Sequence, residues 1–576
     1  MTLAVLLAGA RAGDVEVLAG QLRAAGAREV LVAPVGDGAV LRMAAARGER
    51  LLVCGGDLVA NDAVLWHLAT DPSGRSVALT GPAGAAPHAA GVREARGRVA
   101  EVLPAGAGQH AFLGALLVVP ADLPTLVAAT GHDVDGLLGE LHGSGVTLGA
   151  HRVRLLHAER VTDAAGLAAA RAAVAAVDED AARLRLAVKE RDDFFTTFFV
   201  SPWSPLVTRA AARLGLTPTG VTAVSVALAG LAALGFWSAT RPALIAGAVL
   251  LYLGFVLDCV DGQLARYTRR FSVAGGWLDT MADRLKEYVV YAGLAAGAER
   301  AGLGHTWPLA VAAIVLQTVR HMTDAWYGAM HDRAASRPAA AAGVRGIGGR
   351  LGAASERVQA DTGSPIYWLK RIVVFPIGER WALIAVVTAL VNGRAALIAV
   401  LVWGGLAFAY TLALRGLRAA SMRVPVMAGP DAPDHRDDGP LVRLLRPGRR
   451  AGGSGLDWLV PAALRAVEYL AVVAVGVYRG VPYPLLYLLL VLLALHHYDL
   501  VARMEKNIPP RRAAVALGWD GRMIVLILAA LLPAAAPALL AGLAGYVGLV
   551  LGIRAAAGFA ASRPAPVPVP EGGRTR

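Results

Sequence analysis

The sequence predicts two fold classes in series: an α/β domain over residues 1–190, then an all-α, polytopic membrane domain. Two observations carry that expectation. Residues 1–190 alternate short apolar runs with polar helical stretches, the pattern of strand–helix units. From about Val221 onward, apolar segments of 16–20 residues recur, each long enough to cross a bilayer. A mean hydropathy of +0.52 with only 17% charged residues over 576 residues is too apolar for a soluble protein of that length.

In the first domain, AVLLAG, EVLVAPV, RLLVCGGD, SVALTG and FLGALLVVP read as strands, with GDVEVLAGQLRAAGA and NDAVLWHLAT as helices between them. The opening MTLAVLLAGARAGD lacks a basic n-region and has a short apolar run, so it reads as a first strand rather than a signal peptide. Residues 164–190 read as one Ala-rich helix leading out of the domain. Over 191–217, Leu206, Val207, Ala210, Ala211 and Leu214 share one helical face, with Arg209 and Arg213 on another, as in a helix lying in the membrane interface.

A membrane domain follows over 218–422, with spans expected at 220–238, 242–260, 277–297, 307–328, 379–393 and 395–415. With the α/β domain in the cytosol, the first span exits and the second returns. The 258–276 connection, with Arg266, Arg269 and Arg270, then faces the cytosol, as does the loop 333–371 with seven basic residues against two acids. The opposite turns, such as SATRP and VNGR, are short and nearly uncharged, so span counting agrees with the charge asymmetry. Residues 423–456 are a Pro/Gly-rich charged linker. A C-terminal membrane domain is expected over 457–560, with spans at 458–478 and 482–501 and an apolar stretch, 523–553, that is either one long helix or a hairpin of two. Residues 561–576 read as a disordered tail, and no internal repeat is present.

The net charge of +13 is accounted for by arginines flanking spans, some placed to meet anionic lipid or phosphate ligands, rather than by nucleic-acid binding. Cys54 and Cys259 support no disulfide framework and read as small packing residues.

One stretch stands against its apolar setting: DCVDGQLARYTRRFSVAGGWLDTMAD, residues 258–283, with four aspartates at spacings of three, eighteen and four. Charge at membrane depth is costly and tends to mark function. At about 100° per residue, Asp258, Asp261, Gly262, Ala265 and Arg266 fall on one face at the cytosolic end of the second span. Asp279 and Asp283, four apart, share a face of the antiparallel third span, which starts at Gly275 and Gly276. Packed together, the two helices would gather four carboxylates, which cannot all stay ionised at partial burial without cations. An all-oxygen set suits Mg²⁺ or Mn²⁺, and two ions match four acids. Gly262 and Ala265 leave room for a ligand to approach the backbone, and Arg266 offers charge to phosphate oxygens. This is equipment for phosphoryl transfer, with one carboxylate left to take a proton from an attacking hydroxyl. The competing reading is a structural set of ion pairs to Arg266, Arg284 and Lys286, which explains neither the spacing nor the small residues.

The stretch resembles the signature of the CDP-alcohol phosphotransferases (CDP-alcohol phosphatidyltransferase family), D-x2-D-G-x2-A-R-x8-G-x3-D-x3-D, at Asp258, Asp261, Gly262, Ala265, Arg266, Gly275, Asp279 and Asp283. LTPTGVT at 216–222 resembles the family's LTPNxVT, with Thr219 in place of Asn and Gly220 where other residues are usual. The resemblance covers about 195–420 and implies a six-helix core. It implies that Asp258, Asp261, Asp279 and Asp283 bind the metals, and that Asp283 also acts as general base. Gly262, Ala265, Arg266 and Gly275 would help hold the donor, and CMP would leave. Homodimers are common in that family.

The first domain resembles a nucleotidyltransferase, as in proteins fusing an inositol-1-phosphate cytidylyltransferase to such a membrane module. The resemblance rests on AVLLAGARAGD, on LLVCGGD, which puts Asp57 at a metal-binding position, and on FLGALLVVPADL. It departs from the pattern in a degenerate glycine loop with no lysine before Lys189. Arg11 is a poor substitute, because a guanidinium fork is not a point charge. A catalytically silent or altered domain is the expectation.

The sequence therefore predicts a multi-pass protein of the inner (plasma) membrane, with its N-terminal domain and active site in the cytosol, acting in phospholipid synthesis. It would transfer a substituted phosphate from a CDP-alcohol, CDP-diacylglycerol foremost, to an alcohol acceptor, with inositol phosphate favoured by the fusion architecture. The alternatives are a CDP-inositol-dependent synthase of an inositol phosphodiester and a non-catalytic scaffold or nucleotide sensor. Weaker signals are His496, His497 and Asp499, which read as interfacial polar residues with a metal role as the alternative, and Arg465 with Glu468, expected as a neutralising pair inside a span. Arg209, Arg213, Arg320, Lys370 and Arg371 are candidates for either an acceptor phosphate or lipid anchoring. The last block resembles an uncharacterised actinobacterial-type extension.

Overall fold

The computed structural model describes the chain apart from residues 1, 10–13, 96, 132, 191, 336–363, 423–431, 440, 442–455, 507, 509–511 and 562–576. Arg11, most of the loop 333–371, most of the linker and the tail thus lie outside the described residues. Two compact units are present: Met1–Glu190 with Gln263–Phe271, and Arg191–Gly262 with Ser272–Pro564.

The first unit is α/β. Its strands are β1 Thr2–Ala8, β2 Ala27–Pro34, β3 Arg50–Gly55, β4 Leu58–Ala60, β5 Val77–Pro82, β6 Ala90–Ala95, β7 Arg98–Ala105, β8 His110–Val118, β9 Gly149–Arg152 and β10 Ala158–Arg160. Eight form one mixed sheet in the order β2-β1-β3-β8-β5-β9-β7-β6, and β4 pairs with β10. The five expected strands all form. Alternation along β1 divides the core: Leu3, Val5 and Leu7 face helices Gly38–Ala45 and Val134–Gly143, while Ala4 and Leu6 face Val15–Ala24 and Asp62–Ala69. Residues 164–190 do not form one helix. Asp178 caps a second one, Glu179–Ala187, by accepting from the Ala181 N–H, and this ends the first at Ala175.

The second unit is helical. Among the described residues, seven helices are long and apolar enough to span a membrane: Pro218–Ser238, Arg241–Thr268, Gly393–Ala419, Val460–Tyr478, Tyr483–Glu505, Ala513–Leu531 and Pro533–Gly558. The count becomes eight if Pro365–Val374 and Ile377–Leu390, bent by 73° at their junction, make one span. The chain is thus a multi-pass membrane protein. The 379–393 span is the second arm of that bent pair, and 523–553 is two helices, broken at Leu532–Ala535 by Pro533. Val273–Arg300 and Trp307–Ala335 are equally long but carry more charge.

Helix Val273–Arg300 packs directly on Pro218–Ser238. A Cβ at Gly293 would lie 2.5 Å from the Ala233 carbonyl oxygen, and one at Gly297 would collide with that of Phe236. Glycine at both positions lets the backbones meet, the usual device for close helix contact in membranes. In the helix Ser204–Arg213, Ser204, Thr208 and Ala211 are buried while Leu206 and Leu214 are exposed. Ala211 thus belongs to the protein-facing side, and Leu206 and Leu214 to an outward apolar one.

Candidate active site

The site is built by two helices and the turn joining them. Helix Arg241–Thr268 runs unbroken through the first two aspartates, and its apolar upstream run buries Leu251, Phe255 and Val256. After a left-handed residue at Arg269 (φ 55°), Ser272 caps the next helix by accepting from the Gly275 N–H (2.9 Å). A Cβ at Gly275 would stand 2.7 Å from that serine oxygen, which gives this glycine a structural reason of its own. Helix Val273–Arg300 then presents Asp279 and Asp283 one turn apart.

The fold brings Asp258, Asp261 and Asp279 together, with one carboxylate oxygen from each all within 4.8 Å of one another. Two oxygens across an octahedral Mg²⁺ stand about 4.2 Å apart. Three acids that close therefore fit a hard divalent cation in both ligand chemistry and spacing. Thr222, from the LTPTGVT stretch, donates its hydroxyl to Asp261 Oδ2 (2.5 Å), which fixes that carboxylate.

Asp283 sits beside the trio. It is bound to Lys286 (3.1 Å), whose ammonium also pairs with Asp258 and donates to Ser225 Oγ (3.2 Å). Lys286 is 3% exposed, against 13% for Asp258 and 20% for Asp283. The expected pairing was thus real for Lys286, but it spans two acids of the cluster rather than replacing it. Arg284 turns instead to Glu287 (3.3 Å) and the His321 ring (3.1 Å). Gly262, Ala265, Arg266 and Gly275 are all partly accessible, and Arg266 Nε donates to the Ala187 carbonyl (2.5 Å). The sequence pattern alone assigns Thr222 and Lys286 no role in the chemistry. Their sequence signals were the motif threonine, and a lysine three residues beyond Asp283 on the same helix.

Other expected residues are placed differently. Arg320 is 2% exposed and caps the bent pair by donating through Nη2 to the Val374 and Phe375 carbonyls, which removes it from lipid. Arg371 donates to the Tyr367 hydroxyl (2.9 Å). Glu468 does not pair with Arg465. It takes Arg522 (2.5 Å), while Arg465 donates to the Pro461 and Arg436 carbonyls. His496 and His497 are buried rather than interfacial and meet Asp437, at 3.4 and 3.6 Å. Asp499, also buried, accepts from Trp277 Nε1 (2.8 Å) and Arg503 Nε (3.0 Å).

In the first unit, Asp57 is 6% exposed and accepts from Arg160 Nε (3.0 Å), while Arg160 also pairs with Asp135 (2.7 Å). A guanidinium thus stands against the carboxylate expected to hold a metal.

Residues 216–424 match the model of the CDP-alcohol phosphatidyltransferase family. These residues form a CDP-alcohol phosphatidyltransferase domain. Residues 449–575 match a family of unknown function (DUF5941). The chain is also similar in sequence to curated proteins. One is an archaetidylinositol phosphate synthase of Pyrococcus horikoshii, 36% identical over 89 residues, covering 16% of this chain and 46% of that protein. Another is a bifunctional IPC transferase and DIPP synthase of Rubrobacter xylanophilus, 34% identical over 143 residues, covering 24% of this chain and 32% of that protein. The chain therefore spans less than half the length of these relatives. The inositol-1-phosphate CTP transferase of T. maritima aligns over 29% of this chain and 72% of its own, at 11% identity and a TM-score of 0.23. The α/β class of the first unit rests on its own strand order.

Proposed function

We propose that the protein transfers a substituted phosphate from a CDP-alcohol to an alcohol acceptor, releasing CMP. The observation that carries this reading is the convergence of Asp258, Asp261 and Asp279, with Asp283 alongside, in a domain of that family. Asp258, Asp261 and Asp279 would hold Mg²⁺ or Mn²⁺, with Asp283 serving a second ion. Bound there, the ions supply Lewis-acid polarisation and neutralise charge on the diphosphate. Asp283 takes the proton of the acceptor hydroxyl as its oxygen bonds to the β-phosphorus, and the bond to CMP breaks. Thr222 and Lys286 orient the carboxylates, while Gly262 and Ala265 leave room for the donor.

The donor is CDP-diacylglycerol and the acceptor an inositol phosphate. The archaetidylinositol phosphate synthase relative supports that acceptor class. The charge asymmetry supports an active site on the cytosolic side of the plasma membrane, where CMP is released. A second reading, synthesis of a soluble inositol phosphodiester from CDP-inositol, draws on the bifunctional relative. It is disfavoured as a self-contained pathway because Arg160 binds Asp57 in the first unit. A silent first domain follows, and CTP-dependent pyrophosphate release by the full chain would overturn that. The transferase is tested by following CMP release from radiolabelled CDP-diacylglycerol with inositol phosphate, glycerol phosphate, serine and inositol. Release dependent on inositol phosphate supports the assignment; no release with any acceptor removes it.

A further inference from the structure

The C-terminal region matched to a family of unknown function is packed onto the catalytic helix. Tyr487 donates its hydroxyl to the Tyr288 carbonyl (2.7 Å), and Tyr498 meets the His321 ring (2.6 Å). Asp499 takes the Trp277 indole N–H (2.8 Å). The bonds to Tyr288 and Trp277 set helix Tyr483–Glu505 along Val273–Arg300, the one to His321 ties it to Trp307–Ala335, and the lysine that ends it lands at a defined place. Lys506 Nζ donates to the Gly276 carbonyl and lies 3.3 Å from Thr280 Oγ1. At 100° per residue, Gly276, Asp279, Thr280 and Asp283 lie within about 100° of one another on the helix. The ammonium therefore sits on the aspartate face, at the helix N-terminus where the donor's phosphates would lie.

We propose that the C-terminal region completes the transferase site by delivering Lys506, whose ammonium binds a substrate phosphate beside Asp279. The inference rests on the transferase reading. Its chemistry is that of a lysine point charge on phosphate oxygens, with the strength of a charge-assisted hydrogen bond. Two ligands share that chemistry: the diphosphate of a CDP-alcohol and a phosphate monoester on the acceptor. Lys286 cannot substitute, since it is buried and committed to Asp258 and Asp283. A role for the extension then follows: without it the aspartate face lacks this cation.

The test uses the purified full chain in detergent, as wild type, Lys506→Ala and Lys506→Arg, with CMP release followed at varied CDP-diacylglycerol and varied inositol phosphate. Lys506→Ala is expected to raise one KM about tenfold to a hundredfold with kcat nearly unchanged, and Lys506→Arg to recover most of the loss. A shift in the donor KM assigns the diphosphate; a shift seen with inositol phosphate but not inositol assigns the monoester. Unchanged KM values in Lys506→Ala, or a fall in kcat that arginine does not rescue, would overturn the proposal. If the wild type releases no CMP, the transferase reading fails separately. Lys506 is then judged by the CDP and inositol phosphate concentrations giving half-maximal protection against thermal unfolding, which must rise in Lys506→Ala for one of the two.

Discussion

Lys286 is the internal cation of the aspartate cluster, and replacing it with methionine isolates what that charge does. The side chain is 3% exposed and sits 3.1 Å from Asp283 while pairing with Asp258. At an effective dielectric near 20, one such pair is worth about 5 kcal/mol before desolvation. Desolvation of the lysine offsets part of this, and removing one partner of a buried pair typically costs about 3–5 kcal/mol. Lys286→Met should therefore lower the stability of the metal-free protein by about 3–5 kcal/mol. The same change leaves the carboxylates in greater need of a cation, so Mg²⁺ should stabilise the variant more than the wild type at equal concentration. Both quantities can be read from unfolding of the detergent-solubilised chain in EDTA and across a Mg²⁺ titration. Equal stability in EDTA, or a smaller gain from Mg²⁺ in the variant, would refute the idea that the lysine and divalent ions answer the same carboxylates.

Two further outcomes follow from packing and charge. Gly297→Ala inserts a methyl against the Phe236 carbonyl and should destabilise by about 1–3 kcal/mol, measured as a lower unfolding midpoint, whereas the same change at the open Gly230 should be nearly neutral. In the first unit, burial pushes the His67 imidazole down to about 2, with Arg269 adding to the shift. The folded state binds the proton less readily than the unfolded chain, so its stability is fully present above about pH 6.5 and falls as pH drops below that. One such group lowers it by up to about 1.4 kcal/mol per pH unit. Hydrogen exchange over residues 62–69 should accelerate between pH 7 and pH 5.5 beyond the intrinsic pH effect, and His67→Gln should remove the excess.

The fold class and the aspartate cluster were legible because both are local or periodic. Strand alternation, span length and an eight-position signature each lie in short windows, and Asp258, Asp261 and Asp279 converge as their helical faces require. What escaped depends on residues far apart in the chain. Local spacing pairs Glu468 with Arg465, three residues away, yet the fold supplies Arg522, 54 residues on, and Arg465 goes to backbone carbonyls instead. His496 and His497 looked interfacial at a span's end, but Asp437, from the stretch between the two membrane blocks, is folded in against them. Lys506 carries no local signal at all, being 226 residues from the Thr280 hydroxyl it approaches. The break at Pro533 and the 73° bend turn on single backbone positions, which hydropathy windows smooth over.

The most direct measurement is CMP release from CDP-diacylglycerol by the wild type and Asp283→Asn in the presence of Mg²⁺ and inositol phosphate. Asparagine keeps the shape of the side chain but cannot take a proton, so kcat should fall about 100-fold to 10,000-fold while the protein remains folded. A wild type that releases CMP and an Asp283→Asn variant that releases it at the same rate would contradict the assignment of Asp283 as the base of this site.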